Sequence, residues 1–127
     1  MPVELLKAIA LVESNCNPLA INRNANGTKD VGLMQINSVH FASLKANDKI
    51  DESELYEPCT NLLVASRILY QQVQHYGWSW QAIGAYHMPD GKQIARQKWY
   101  AQRVWNRINS VRVYPAQCMS DDSRYRR

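Results

Sequence analysis

A carboxyl group that is to donate a proton near neutral pH must be kept from water, and Glu13 stands where a helix would do this. Residues 3 to 14 carry Leu5, Leu6, Ile9 and Val12 at helical spacing. At about 100° per residue, with Leu5 as origin, the four cover an arc from about 340° to about 100°, and Glu13 falls inside it at about 80°. Desolvation there disfavours the charged form and raises the pKa into the range of a general acid. The plain alternative is that Glu13 ends the helix and turns to water, and period alone does not separate the two. Cys16, Cys59 and Cys118 form no close-spaced pair, and only His40, His75 and His87 could join them as soft ligands. A zinc site is therefore not expected, and no cofactor is called for. An odd number of cysteines leaves at least one thiol without a mate in this chain.

The elements that must position Glu13 are mostly helical. Pro2 suits the first turn of the helix over residues 3–14. From Asn15 to Asp30 the run of Asn residues with Pro18 and Gly27 is turn chemistry. Val31 to Asn37 is too short to assign by period, and a short helix is expected after Ser38. A polar stretch, Asn47 to Glu57, leads to Pro58 and the clearest helix, with Leu62, Ala65, Leu69, Val73 and Tyr76 on one face and Gly77 at its end. Ser79 can cap a short helix through Tyr86, and Met88 to Gly91 reads as a turn. A last helix, about Gln93 to Asn109, sets Ile94, Trp99, Ala101, Val104, Trp105 and Ile108 against Arg96, Lys98, Arg103 and Arg107. Its spacing predicts Trp99 and Trp105 in the core, although the four Trp residues, with Trp78 and Trp80, are also of a type that stacks on sugars.

The length of 127 residues suits one domain with one cleft. An apolar share of 46% with 20% charged residues is that of a globular chain, and no apolar run approaches the eighteen or so residues that span a bilayer. The net charge is +4, and nine of the fifteen Lys and Arg lie at or after Lys92. A basic C-terminal part suits a polyanion, whether nucleic acid, anionic lipid or a wall bearing carboxylates, or is simply a solvated face. No RNP, KH or zinc-finger pattern is present, so no nucleic-acid partner is expected. The first residues lack the basic and apolar regions of a signal peptide, so the chain is either cytoplasmic or has lost a leader.

Two separated runs narrow these choices. Glu13-Ser14-Asn15-Cys16-Asn17-Pro18-Leu19-Ala20 followed by Gly32-Leu33-Met34-Gln35-Ile36-Asn37 resembles, in order and spacing, the lytic transglycosylase signature of the goose-lysozyme-like superfamily. Asn61-Leu62-Leu63-Val64-Ala65 looks like the family's Asn-x-x-x-Ala helix, and Ala85-Tyr86 like the start of its Ala-Tyr-Asn-Ala-Gly segment. The likeness covers roughly Val3 to Tyr100. Asp30 to Ser38 and Pro58-Cys59-Thr60-Asn61 look most like the small transglycosylases that accompany secretion, conjugation and pilus systems.

The resemblance implies a mainly α, single-domain, lysozyme-like fold over residues 1–111, with a small β-hairpin beside the cleft if the Asn-rich loop folds back, and a basic, flexible tail over 112–127. It implies an exported enzyme of the periplasm or cell envelope, monomeric, without a membrane span, acting on peptidoglycan glycan strands, with secretion, conjugation or pilus assembly proteins as candidate partners. Glu13 would protonate the bond between N-acetylmuramic acid and N-acetylglucosamine, then take the proton from the sugar's 6-hydroxyl, leaving a 1,6-anhydro end. Asp30, facing Glu13 from a hairpin, would support the developing cation, or else is a turn carboxylate. Ser14 would hold local backbone or Glu13. Met34, Gln35 and Asn61 would serve the sugar subsites, and Tyr86 would hydrogen-bond near the catalytic carboxyl.

The chain also departs from the pattern. His87-Met88-Pro89 replaces Asn-Ala-Gly, so the cleft floor differs there, and His87 either meets sugar or packs. Cys16 stands where the family has an apolar aromatic and reads as a small buried hydrophobe rather than a redox group. In the related enzymes the Cys before Thr-Asn pairs with one upstream of the first helix, which for Cys59 would lie before Met1. The rival readings are a muramidase that admits water in place of the 6-hydroxyl, and a weakly active wall-binding scaffold.

Overall fold

A computed structural model describes residues 2–113, with side chains to residue 109. Helix α1 (Val3–Ser14) begins after Pro2 as its spacing predicts. Its chain then reverses through two consecutive left-handed residues, Asn15 (φ 52°) and Cys16 (φ 62°). The Asn-rich region folds back further than a hairpin requires. Strands β1 (Ile21–Arg23), β2 (Lys29–Val31) and β3 (Ile36–Asn37) form one antiparallel sheet in that order. Its register pairs Asn22 with Asp30 and Asp30 with Asn37.

The expected short helix is a composite: a 3-10 turn (Ser38–His40), α2 (Phe41–Ser43) and a π turn (Leu44–Asp48). The polar stretch before Pro58 contains a 3-10 turn, Glu52–Tyr56, begun by a reciprocal pair in which Asp51 and Glu54 cap each other's backbone. Helix α3 (Pro58–Tyr76) has Pro58 in its first turn and the Glu57 side chain accepting from the Thr60 amide at 2.8 Å. Ser79 caps α4 (Trp80–His87) by accepting from the Ala82 amide. Helix α5 (Ile94–Val113) packs along α1 and α4, and α4 packs on α3. It runs past the expected end at Asn109. The flexible-tail expectation from residue 114 onward lies outside the described residues.

The core gathers Ala8 and Ile9 of α1, Val31, Leu33, Met34 and Ile36 around the sheet, Val64 and Leu69 of α3, and Tyr100 and Val104 of α5. Two expectations are corrected here. Trp99 and Trp105 are 52% and 57% exposed, because the stripe that α5 buries is Gln97, Tyr100, Ala101 and Val104 and the two indoles lie to its sides. Arg96 and Arg103 instead stand over the Trp99 ring. Cys16 is half-buried and disulfide-bonded rather than a buried free thiol. Cys59 is free and exposed.

Candidate active site

The segment Gly32–Gln35, between β2 and β3, is held from three helices. Ser14 Oγ of α1 donates to the Leu33 carbonyl at 2.7 Å. Asn61 of α3, fully buried, accepts from the Met34 amide at 2.8 Å and donates to the Val31 and Leu55 carbonyls at 3.1 and 2.8 Å. The Tyr86 hydroxyl of α4 donates to the Met34 carbonyl at 2.9 Å. Gly32 is required: its φ of +79° is left-handed, and a Cβ would run into the Asn61 amide and the Leu55 carbonyl. These contacts satisfy backbone groups that a tight, buried turn would otherwise strand.

Above this floor lies a cleft of about 590 Å³ lined by Glu13, Asn24, Asp30, Gln35, Asn37, Tyr86, His87 and Arg96, among others. Glu13, in the last turn of α1, accepts a hydrogen bond from the Tyr100 hydroxyl of α5 at 2.8 Å. Burial raises its pKa from 4.5 to about 7, the Tyr100 bond pulls it down, and the negative charge of Asp30 pushes it up. Strand alternation explains the facing. Val31 turns into the core, so Asp30 before it turns to the other side of the sheet. Asn24 and Asn37 donate to its two oxygens at 3.1 and 2.9 Å. A larger groove of about 690 Å³, lined by Trp78, Trp80 and Trp105, carries no carboxylate among the described residues, so the acid chemistry belongs to the smaller cleft.

Of the expected site residues, Glu13, Asp30, Gln35, Tyr86 and His87 line the cleft. Ser14, Met34 and Asn61 do not. The Met34 side chain is fully buried in the core, and Ser14 and Asn61 are tied to backbone. Gln35 lines the wall with its amide engaged: Nε2 donates to the Ala20 and Gly32 carbonyls at 3.2 and 3.0 Å, and Oε1 accepts from Asn22 at 2.7 Å. Tyr86 serves Met34, while the tyrosine on Glu13 is Tyr100, which the sequence reading did not single out. Its signal was a hydroxyl-bearing residue on the buried stripe of α5, which must find a partner. Asn24 and Asn37, also missed, were hidden in composition that signals turns.

A carboxyl that must start protonated sets the alkaline limb of activity. Cleavage is expected to fall as pH rises through about 7, where Glu13 ionises. A pH–rate profile whose alkaline limb lies near the ordinary value of about 4.3 for Glu contradicts the role of burial.

A small, mainly helical domain whose cleft sets a buried carboxyl of raised pKa, Glu13, beside a second carboxylate, Asp30, has the parts of an enzyme that cuts glycosidic bonds. The family model described as the transglycosylase SLT domain matches residues 1–108. The chain belongs to this family, and its activity is that of a peptidoglycan lytic transglycosylase. It is 38% identical over 115 residues to "Invasion protein IagB" of Salmonella typhimurium, covering 90% of this chain and 72% of that one. It is 36% identical over 108 residues to "Protein IpgF" of Shigella flexneri, with 84% and 71% covered. A "Peptidoglycan-binding-like protein" of Escherichia coli O157:H7 is 39% identical over 120 residues, again with 84% and 71% covered.

Proposed function

We propose that the reaction ends in a 1,6-anhydromuramic product. The observation that supports this reading is the unequal placing of the two cleft carboxyls: Glu13 is buried against the Tyr100 hydroxyl with its pKa raised to about 7, so that it can serve first as acid and then as base, whereas both oxygens of Asp30 are occupied by Asn24 and Asn37. Glu13 gives its proton to the glycosidic oxygen as that bond to the anomeric carbon breaks. The carboxylate so formed takes the proton of the 6-hydroxyl, whose oxygen bonds to the same carbon. The Tyr100 hydroxyl stabilises the carboxylate between the steps. An internal nucleophile removes the need for a second carboxylate that activates water, as most glycosidases require. Digestion of purified peptidoglycan sacculi tests the reading by mass. An anhydro product is lighter by one water than the product of hydrolysis, and a purely hydrolytic pattern makes the protein a muramidase.

Asp30 is read as an electrostatic stabiliser of the developing cation. Its two amide donors fix both oxygens on the cleft side of the sheet, which supports that role. Asp30→Asn is expected to lower kcat less than loss of Glu13 does and more than loss of a surface Asp, with the anhydro product retained. A loss equal to that of Glu13→Gln, measured on the same sacculi, favours a lysozyme-like carboxylate pair.

The biological setting follows from the substrate. The enzyme acts in the periplasm or cell envelope, where it opens the wall locally for a secretion, conjugation or pilus apparatus. The likeness of Asp30 to Ser38 to enzymes of such systems supports this, as does a relative named as an invasion protein. No helix among the described residues is long and apolar enough to cross a membrane.

A further inference from the structure

The solvent side of α5 carries a stripe of cations around one indole. With Arg96 as origin at about 100° per residue, Trp99, Arg103 and Arg107 fall at about 300°, 340° and 20°, so the four share an arc of about 80° along roughly 16 Å of helix. All four are exposed. No Asp or Glu occurs between Lys92 and Arg112. Arg96, Arg103 and Arg107 make no ion pair among the described residues, whose pairs are Lys29–Glu52, Lys45–Asp51 and Arg67–Asp48.

The stripe is anchored at its inner end. The guanidinium carbons of Arg96 and Arg103 stand 5.7 and 5.0 Å from the centre of the Trp99 ring. Trp99 leans on His87 at 6.4 Å, and His87 stacks on Tyr100, whose hydroxyl reaches Glu13. A guanidinium resting on an indole loses less freedom when it takes a partner, and its fork of donors matches a carboxylate. Arg96 also lines the catalytic cleft, so the stripe starts at the cleft and continues along α5. A positive side chain there does nothing for a developing cation, but it suits an anion that the substrate itself brings.

The glycan strand of peptidoglycan brings such anions, because each N-acetylmuramic acid carries through its lactyl group a short peptide with free carboxylates. We propose that Arg96 and Arg103, held on Trp99, form a subsite for the free carboxylates of these peptide stems, and that Arg107 extends it along α5. The subsite rests on the reading of the Glu13 cleft as the glycan cleft, and it selects strands that still bear acidic stems. It also accounts for the exposure of Trp99, whose ring carries guanidinium groups instead of filling the core.

The test compares two ligands before it compares variants. Disaccharide oligomers bearing stem peptides, and the same oligomers with the stem carboxylates converted to carboxamides, differ in charge and hardly in size. In a Glu13→Gln background, which binds without cleaving, the acidic oligomers are expected to bind about five- to tenfold more tightly than the amidated ones, the gain of a few exposed charge-assisted contacts. Added salt should shrink the difference. Arg96→Gln combined with Arg103→Gln should bring the acidic oligomers down to the affinity of the amidated ones. Arg96→Lys combined with Arg103→Lys should keep part of the preference, because the charge stays and the fork is lost. With Glu13 intact, the preference should appear in KM rather than in kcat. The ligand comparison without the arginine substitutions does not depend on any of those variants folding. A preference under twofold overturns the proposal, as does one that survives in the double Gln variant. Weaker binding of that variant to phosphatidylglycerol vesicles, with no preference between the oligomers, overturns it in favour of an anionic lipid surface. A protein that cleaves sacculi without any preference loses the subsite alone, whereas one that neither binds nor cleaves the glycan loses the reading of the cleft as well.

Discussion

Glu13→Gln abolishes cleavage and, above neutral pH, leaves a protein more stable than the parent. The first effect follows because an amide keeps shape and can still accept from Tyr100 but neither gives nor takes the proton. General acid and base steps commonly contribute roughly 10² to 10⁴ in rate. The second follows from linkage. Folded, Glu13 holds its proton up to about pH 7; unfolded, it releases it near 4.5. Between these values unfolding releases a proton, so the parent loses stability as pH rises, and above about 7 the native state bears the full cost of a poorly solvated charge. The variant escapes this cost, by about 1–3 kcal/mol at pH 8 and by nothing at pH 4. Paired thermal melts at the two pH values check the sign, and sacculus digestion checks the rate. Activity within twofold of the parent would remove Glu13 from its role, and equal melts at pH 8 would remove the burial argument.

Asn61→Ala is the second large effect, on stability. Asn61 joins three buried backbone groups, the Met34 amide and the Val31 and Leu55 carbonyls. Alanine leaves all three unanswered at a site with no surface exposure. A stranded buried group costs about 1–3 kcal/mol, and neighbouring losses do not add fully, so a total of about 3–5 kcal/mol is expected. Against a typical domain stability of about 5–15 kcal/mol this is a large fraction. The melting temperature should fall by roughly 10–20 °C. Residual activity should fall with it, because the floor of the cleft hangs on the same side chain. A loss under about 1 kcal/mol in chemical denaturation would mean that water takes the place of the amide.

The parts of the fold legible from sequence were those decided locally. Helices α1, α3 and α4 carry their own apolar stripes and caps, so Val3–Ser14, Pro58–Tyr76 and Trp80–His87 fall almost where spacing and capping place them. The sheet was only half legible, because strands of three, three and two residues have no period to read and exist by pairing with one another. Trp99 and Trp105 misled because α5 carries large apolar residues on more than one side, and only contact with α1 and α4 selects the buried one. Within the site the same division holds. Glu13 betrays itself by lying in the stripe of its own helix. Tyr100, 87 residues along the chain, comes to it only through the packing of α5 on α1. Asp30 was visible as a carboxylate, yet the amides that aim it come from Asn37 on the paired strand and Asn24 in the turn before β2.

The clamps on Met34 also set a clock. An amide bonded to a buried side chain exchanges with solvent only when the structure around it opens, and the partner of this one, Asn61, sits in the middle of the core. The Met34 amide is therefore expected among the slowest to exchange in the domain. The facing rim, where Asn26 and Thr28 bond one another in the open, can part far more often. A glycan strand thus meets a vice with one fixed jaw. Any adjustment to a bound strand is cheaper at that exposed rim than at the floor, whose backbone is held by buried bonds.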